Sequence, residues 1–410
     1  MEIYLVRHPI FNRMEEVVGY EVLFRDGLDG MVGALSPDQA ASKVADALYQ
    51  LGIDAVSGGK KAFVPLTRNL LLQEAATVLP SSQVGVELLE EMDADPTVLT
   101  ACRNLKEAGI PLVLGEYALA PQRAALLELA DIVKIDGAAV SKADGDFRGR
   151  LPGATQLLAS KLESRTDFES AMTAGGHLFQ GSFFSKPVLM KGKEIPGFKL
   201  NYLRILEEIQ RPELDFDRLE KILKVEMSLS YKLLCYINSA FFGWQVEIQS
   251  IKHALVMLGE ESFRRWASFI ALAGLAGDRP PELVFQATLR GRFLELLAEP
   301  CKLGHRADDL FLMGMLSLID GLVGKPMAEI LDGMPITQDI KNALLGKGGR
   351  MDDLYRLSLA YLEANWNAFD TLAQQMGIDP KAIPECYTAA LAWANEHFQN
   401  IPAEGAAQKK

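Results

Sequence analysis

The sequence lacks the features of a secreted or membrane-embedded protein. Its start, Met-Glu-Ile-Tyr-Leu-Val-Arg-His, has neither the basic segment nor the apolar run of a signal peptide. The longest apolar run, residues 266–277, is too short to span a bilayer and predicts a buried helix. We therefore expect a cytoplasmic protein without a membrane span.

Cysteine is scarce, and positive charge is outnumbered by negative charge. The four cysteines (Cys102, Cys235, Cys301 and Cys386) form no Cys-x-x-Cys pair, which predicts reduced and mostly buried thiols. A formal net charge of −12 argues against a general nucleic-acid or anionic-membrane surface, because phosphates attract Lys and Arg. A local basic strip keeps DNA binding open as an alternative, and it comprises Lys186, Lys191, Lys193 and Lys199.

The chain of 410 residues has room for two or three domains. In its first half, short apolar runs alternate with amphipathic segments such as residues 37–51, which is typical of parallel strands covered by helices. Eight such runs predict a closed β/α barrel, and they are residues 3–7, 20–24, 62–66, 84–89, 112–116, 132–135, 156–159 and 178–180. Residues 9–18 are too few for a crossover helix, so the first two strands should form an antiparallel hairpin.

Helical spacing dominates from residue 198 to about residue 398, which predicts an all-α second domain. The α/β barrel should occupy residues 1–190 and a linker residues 191–200. The helical domain should occupy residues 201–400, followed by a small, polar and disordered tail at 401–410.

Polar residues lie at the predicted strand ends, where β/α barrels carry their chemistry. They are Glu21, Glu87, Glu90, Glu116, Lys134, Asp136 and Gln180. Convergent carboxylates with a lysine suit divalent metal ions and water activation on a phosphodiester. Glu21 and Arg25 share one face of the second strand, where they could hold a metal ion and a phosphate. The alternative is a strand that ends in a surface ion pair.

Four ordered motifs resemble those of the EAL domain, the family that hydrolyses cyclic di-GMP on a β/α barrel. Glu-Val-Leu-Phe-Arg at 21–25 stands where the family has Glu-Ala-Leu-x-Arg. Val-Glu-Leu-Leu-Glu at 86–90 resembles the Glu-x-Thr-Glu strand of the family. Lys-Ile-Asp at 134–136 and Gln-Gly-Ser-Phe-Phe-Ser-Lys-Pro at 180–187 match the other two. Over residues 1–190, the resemblance implies ligand-binding roles for Glu21, Arg25, Glu87, Lys134, Asp136 and Gln180.

Several metal-ligand positions of that family are changed. Pro65 replaces an Asn of the family, Gly115-Glu116 replaces an Asp-Asp pair, and Ser160 replaces a Glu. Proline and glycine offer no side-chain oxygen, whereas a pair of divalent ions needs several anionic ones. We therefore predict no catalytic residue, no metal site and no cofactor, and no hydrolysis of cyclic di-GMP.

Residues from about 200 to 400 resemble an HDOD domain, a helical relative of the HD phosphohydrolases. The motifs on which this resemblance rests are Leu-Ser-Tyr-Lys-Leu-Leu at 229–234, Ile-Asn-Ser-Ala at 237–240 and Ser-Ile-Lys-His-Ala at 250–254. Their polar members Asn238, Ser239 and His253 have two interpretations, helix capping and packing or contact with a ligand. Ser317 and Leu318 replace the metal-binding His-Asp pair of the catalytic relatives. We therefore expect this domain to have a binding role and no hydrolase activity.

Together the two resemblances imply a bacterial regulator related to cyclic di-GMP signalling. Our first hypothesis is a non-catalytic protein whose HDOD domain binds a protein partner. The second is a cyclic di-GMP receptor without hydrolysis, and the third an active phosphodiesterase. The resemblance to EAL-type barrels also suggests a homodimer.

Overall fold

The computed structural model describes most of the chain. The described residues are 3–26, 52–73, 80–89, 92–115, 123–142, 151–185, 197–211, 213–225, 233, 237, 251–277, 279–332, 334 and 336–399. They belong to two compact units: Met1–Lys186 with Arg356–Ala392, and Pro187–Tyr355 with Trp393–Lys410.

The first unit contains a closed barrel of eight strands that follow one another in chain order. The strands are β1 (Ile3–Phe11), β2 (Val17–Asp26), β3 (Lys61–Leu66), β4 (Val84–Leu88), β5 (Leu112–Leu114), β6 (Ile132–Asp136), β7 (Gln156–Ser160) and β8 (Leu178–Gln180). β1 pairs antiparallel with β2 and with β8, and the other neighbours pair parallel. The predicted barrel and its opening hairpin are confirmed.

Short helices follow the barrel strands. They are α1 (Ile53–Ser57), α2 (Arg68–Leu72), α3 (Pro96–Glu107), α4 (Ala124–Leu127), α5 (Gly137–Lys142) and α6 (Arg165–Thr173). Asp95 caps α3 by accepting from Thr97 N and Val98 N, and a reciprocal Ser164–Asp167 capping box begins α6. The helix predicted at 37–51 lies outside the described residues.

The second half of the chain is helical, as predicted. Its helices are α7 (Gly197–Glu208), α8 (Phe216–Val225), α9 (Ile251–Ala276), α10 (Pro281–Leu297), α11 (Ala307–Leu316), α12 (Ile319–Val323), α13 (Met327–Asp332), α14 (Gln338–Leu344), α15 (Arg350–Leu362), α16 (Trp366–Met376) and α17 (Ile383–Gln399). Gly259 inside α9 has a φ of 73°, which is not helical, so the helix is broken at this residue.

The compact units depart from the predicted domain boundaries at the carboxyl-terminal end. Arg356–Ala392, here called the C-terminal segment, groups with the barrel instead of the helical half. Its Tyr361 and Phe369 rings lie 6.2 and 6.1 Å from the ring of Tyr4 on β1. A buried aromatic cluster therefore attaches this part of the chain to the barrel, a long-range pairing that helical periodicity does not encode.

Two expectations concern membranes and cysteines. No helix within the described ranges is long and apolar enough to cross a membrane. Cys102 and Cys301 are buried free thiols, and Cys386 is half-buried. Cys235 lies outside the described residues.

One phenylalanine ring fills the centre of the barrel between two glycines. Phe63 on β3 is 5% exposed, and a Cβ added at Gly85 on β4 would lie 2.5 Å from its ring. A Cβ at Gly19 on β2 would lie 2.8 Å from the same ring. The ring belongs to a cluster of Ile10, Phe63, Val113, Ile132, Leu158 and Leu178. Small residues on both neighbouring strands therefore make room for one large side chain.

We predict that Gly85→Ala lowers the free energy of unfolding by about 1–3 kcal/mol, because the new methyl group overlaps the Phe63 ring. The loss of unfolding free energy caused by Gly85→Ala should be smaller when Phe63 is replaced by Leu. A double-mutant cycle of unfolding in denaturant measures this coupling. Gly153→Ala is the control, since its Cβ would meet no atom within 4 Å. Equal costs for both glycines, or no coupling to Phe63, would contradict this packing.

Candidate functional site

Four polar side chains line one cavity inside the barrel. They are Glu21, Glu87, Lys134 and Gln180, which come from β2, β4, β6 and β8. The apolar lining consists of Ile10, Phe63, Val113, Ile132 and Leu158. Alternate strands of such a barrel contribute side chains to the same layer, so four separate motifs meet at one level. The structure therefore brings together four of the six residues that the EAL resemblance assigns to ligand binding.

Lys134 bridges the two glutamates of this layer. Its Nζ lies 2.5 Å from Glu21 Oε1 and 3.2 Å from Glu87 Oε1. Gln180 Nε2 donates to the second oxygen of Glu21 at 2.6 Å. Glu21, Glu87 and Gln180 are 8%, 9% and 5% exposed, so these bonds form away from water. Charge-assisted bonds of this kind satisfy groups that would be costly to bury alone.

The two carboxyls of the cluster titrate in opposite directions. Burial opposes the charge of Glu21, but Lys134 and then the Gln180 amide hold its pKa below the ordinary value. Burial, followed by repulsion from Glu21, raises the pKa of Glu87 to about 7. Burial would lower the pKa of Lys134, but the two carboxylates raise it. Glu21 and Lys134 thus form a persistent ion pair, while Glu87 holds a proton up to neutral pH.

Of the changed metal-ligand positions, the three that the structure describes (Pro65, Gly115 and Ser160) supply no anionic oxygen to this layer. Pro65 pairs with Glu87 across β3 and β4. The hydroxyl of Ser160 is buried and donates to the Ile135 carbonyl oxygen at 3.2 Å. Gly115 follows β5 without a side chain. Within the described ranges, no three His, Cys, Asp or Glu side chains are grouped as metal ligands.

Asp136 lies at the end of β6, apart from the cavity lining. One of its oxygens accepts from Ala138 N at 2.8 Å, and the other lies 3.3 Å from Lys161 Nζ. One carboxylate oxygen is therefore bonded to the backbone at the start of α5. The other is paired with Lys161, which the sequence motifs did not identify.

Other predicted residues are described only in part. Arg25 lies on β2, but its side chain is outside the description, and Glu90 and Glu116 are outside the described residues. His8, which is paired with Glu21 across the hairpin, is not among the residues that the sequence motifs predict for this site. The register of the hairpin could have identified His8, because the turn fixes which residues of β1 and β2 are opposite one another.

In the helical half, the positions of the HD pair hold no ligand for a metal ion. The Ser317 hydroxyl accepts from Arg290 Nη1 at 3.3 Å, and Leu318 is 5% exposed in the core. Burial raises the pKa of nearby Asp320, whose carboxylate accepts from Gly321 N. His253 is exposed on α9, and Asn238 and Ser239 lie outside the described residues.

Comparison with known proteins finds a family that matches part of the helical half and two relatives that match 96% of the chain. The HDOD domain family matches residues 195–327. The chain is 31% identical over 406 residues to the uncharacterized protein YuxH of Bacillus subtilis, covering 96% of this chain and 98% of YuxH. It is 28% identical over 399 residues to the cyclic di-GMP phosphodiesterase CdgJ of Vibrio cholerae, covering 96% of this chain and 92% of CdgJ.

Solved structures of EAL proteins match about half of the chain at low similarity. An EAL domain protein of Listeria monocytogenes EGD-e covers 45% of this chain and 88% of its own, with 16% identity and a TM-score of 0.35. YkuI of Bacillus subtilis covers 55% and 74%, with 16% identity and a TM-score of 0.36.

The proton on Glu87 predicts a defined pH dependence of stability. The folded state holds this proton up to pH about 7, whereas an unfolded glutamate releases it near 4.5, so stability should fall between these pH values. Glu87→Gln keeps an uncharged group at this position at every pH. The decrease in the free energy of unfolding between these pH values, on the order of 3 kcal/mol, should therefore be absent from this variant. The measurement is the free energy of unfolding in denaturant from pH 4.5 to pH 8.

The control for this experiment is Glu107→Gln, since Glu107 is exposed on α3. Its pH profile should follow that of the unmodified protein. If Glu87→Gln leaves the same slope across this range, Glu87 does not hold the proton.

Proposed function

The chain belongs to the same family as YuxH and has the EAL–HDOD arrangement of two domains, and from this premise we propose that it is a non-catalytic regulator in cyclic di-GMP signalling. The observation that supports the proposal most is the ammonium group of Lys134 held between Glu21 and Glu87. The ammonium group neutralises Glu21 and occupies the space between the two carboxyl groups that metal ions would otherwise use. The relative CdgJ is named a cyclic di-GMP phosphodiesterase, so hydrolysis is the property to test.

The residues around the cavity do not fit a pair of divalent ions. Such a pair needs several anionic oxygens, and Pro65 and Gly115 have none to give. Asp136 is engaged by Ala138 N and by Lys161, and the Ser160 hydroxyl is engaged by a backbone carbonyl. Among the described carboxyl groups at the cavity, Glu21 and Glu87 remain, and both contact Lys134.

We propose a binding role for the helical domain. Ser317 and Leu318 occupy the positions of the catalytic His-Asp pair, with Ser317 bonded to Arg290 and Leu318 in the core. Neither can replace a histidine or a carboxylate as a metal ligand. The proposal is that this domain binds a protein partner, and that the chain acts as a homodimer.

We predict that the purified full chain forms no linear product from cyclic di-GMP with Mg²⁺ or Mn²⁺ above the rate of its Glu21→Gln variant. The physical reason is the missing anionic oxygens around the cavity. Product formation is followed by chromatography, with CdgJ as the positive control. Metal-dependent turnover that Glu21→Gln abolishes would overturn the proposal.

A second candidate function is a cyclic di-GMP receptor, and the charge balance at the cavity favours it. An anionic ligand would meet Glu21 already paired with Lys134 and Asp136 already paired with Lys161. Because Glu87 stays protonated up to pH about 7, the repulsion expected from three free carboxylates is largely removed. By its resemblance, Arg25 is the residue that would hold a phosphate.

For the receptor, we predict heat of binding in calorimetric titration of the full chain with cyclic di-GMP, unchanged by Mg²⁺. Arg25→Ala should abolish the signal, because a phosphate loses its guanidinium partner. Arg103→Ala, at an exposed arginine on α3, is the control and should leave the affinity unchanged. Absence of heat at two temperatures would eliminate the receptor and leave the non-catalytic regulator in place.

A further inference from the structure

Lys161 has a backbone conformation that a lysine rarely adopts. It directly follows β7 and has a φ of 56°, in the left-handed region that favours glycine. A left-handed residue with a side chain costs free energy and persists only where the surrounding structure fixes it. Such residues concentrate at functional sites, so this conformation points to a role for the side chain that it carries.

Hydrogen bonds on both sides hold Lys161 in this conformation. On one side, the Ser160 hydroxyl donates to the Ile135 carbonyl oxygen at 3.2 Å, and Ser160 is 1% exposed. On the other side, Leu162 N donates to the Gln180 carbonyl oxygen at 3.0 Å, and Leu162 is 0% exposed. One neighbour is thus anchored to β6 and the other to β8, and a single residue makes the turn between them.

Gly181 makes room for this turn, because it directly follows β8 and has no side chain. A Cβ at Gly181 would overlap the backbone nitrogen and carbonyl oxygen of Leu162. The carbonyl oxygen of Leu162 also accepts from Phe183 N at 3.0 Å. Lys161 therefore lies where the chain segments after β7 and β8 are bonded to each other.

The turn brings the Lys161 side chain to the end of β6. Its Nζ lies 3.3 Å from Asp136 Oδ2, and the other oxygen of Asp136 accepts from Ala138 N at 2.8 Å. An ion pair between exposed groups stabilises a protein little, and salt weakens it further. Since its contribution does not exceed the cost of the left-handed conformation, stability does not account for a lysine at this position.

Lys161 is the more accessible of the two lysines that contact the EAL-motif carboxyl groups. Its side chain is 63% exposed, whereas that of Lys134 is 14% exposed and lies between Glu21 and Glu87. Ligands of β/α barrels bind at the carboxyl ends of the strands, which is where Lys161 lies. An anionic group from solution can therefore contact the Lys161 ammonium without breaking the buried pair of Lys134 and Glu21.

We propose that Lys161 is a ligand-binding residue of the barrel mouth, whose ammonium group contacts a phosphate of a bound nucleotide while Asp136 holds the ammonium in place. The inference rests on the receptor role proposed above and adds to it a residue outside the four motifs. An ammonium group is a compact point charge that binds phosphate without a divalent cation. The ligand is therefore a nucleotide with an accessible phosphodiester, bound independently of Mg²⁺.

The test is calorimetric titration of the full chain and its variants with cyclic di-GMP in the absence of divalent cations. Lys161→Gly removes the ammonium and should weaken binding by at least about tenfold, because a hydrogen bond to a charged group is lost. Lys161→Arg keeps the positive charge and should retain most of the affinity. Added salt should weaken binding to the unmodified chain more than binding to Lys161→Gly, a difference that a purely structural role would not produce.

Two controls separate binding from folding and from general surface charge. Glycine suits a φ of 56°, so the free energy of unfolding of Lys161→Gly should not fall below that of the unmodified protein. Lys106→Ala breaks a comparable exposed pair, in which Lys106 Nζ lies 2.8 Å from Asp131 Oδ1. Asp131 directly precedes β6, at the opposite end of the strands, so this variant should bind with unchanged affinity.

The possible results distinguish this inference from the receptor role on which it rests. If cyclic di-GMP binds the full chain and Lys161→Gly leaves the affinity unchanged, Lys161 is not a ligand-binding residue and the receptor remains. An equal loss of affinity in Lys106→Ala would also overturn the inference, since the effect would then come from surface charge alone. Absence of binding by the unmodified chain would overturn both and leave the non-catalytic regulator.

Discussion

The barrel half depends on one buried ammonium group. Lys134 contacts both Glu21 and Glu87 in a polar layer that apolar side chains surround, and Gln180 donates to the remaining oxygen of Glu21. Removing the lysine would leave two carboxylates facing each other in a medium of low dielectric, where their repulsion and desolvation are both costly. The arrangement therefore fixes the charge state of the layer: one ion pair and one carboxyl that keeps its proton.

Barrel closure places these groups, and the packing below them supports that placement. Even-numbered strands supply the polar layer, while Phe63 fills the interior between Gly19 and Gly85. The ring could not lie there if either neighbouring strand carried a Cβ at that level. The hairpin of β1 and β2 then extends past the closed part, which gives the C-terminal segment a surface on which to pack.

Much of this architecture could be predicted from the sequence, because the information is local. Eight apolar runs with helical segments between them predict a barrel, and the short connection at 9–18 predicts an antiparallel start. The motif residues Glu21, Glu87, Lys134 and Gln180 converge because strand ends meet at one rim. Local patterns did not reveal the return of residues 356–392 to the barrel, or that Lys161 would engage Asp136. The first depends on contacts between residues far apart in the chain, and the second on contact between the ends of two neighbouring strands, since Lys161 directly follows β7.

Motif residues can remain in a chain for reasons other than catalysis. If Glu21 were lost, Lys134 would lose its shorter ion pair, at 2.5 Å, and keep the contact with Glu87 at 3.2 Å. If Lys134 were lost, Glu21 would stay buried without its ion pair and keep the hydrogen bond from the Gln180 amide. Each group thus makes the loss of the other costly, since breaking a buried pair leaves an uncompensated charge. The stability of the barrel is therefore sufficient to explain an EAL-like set of side chains that lacks several of the metal ligands, and the presence of this motif is not evidence of hydrolysis.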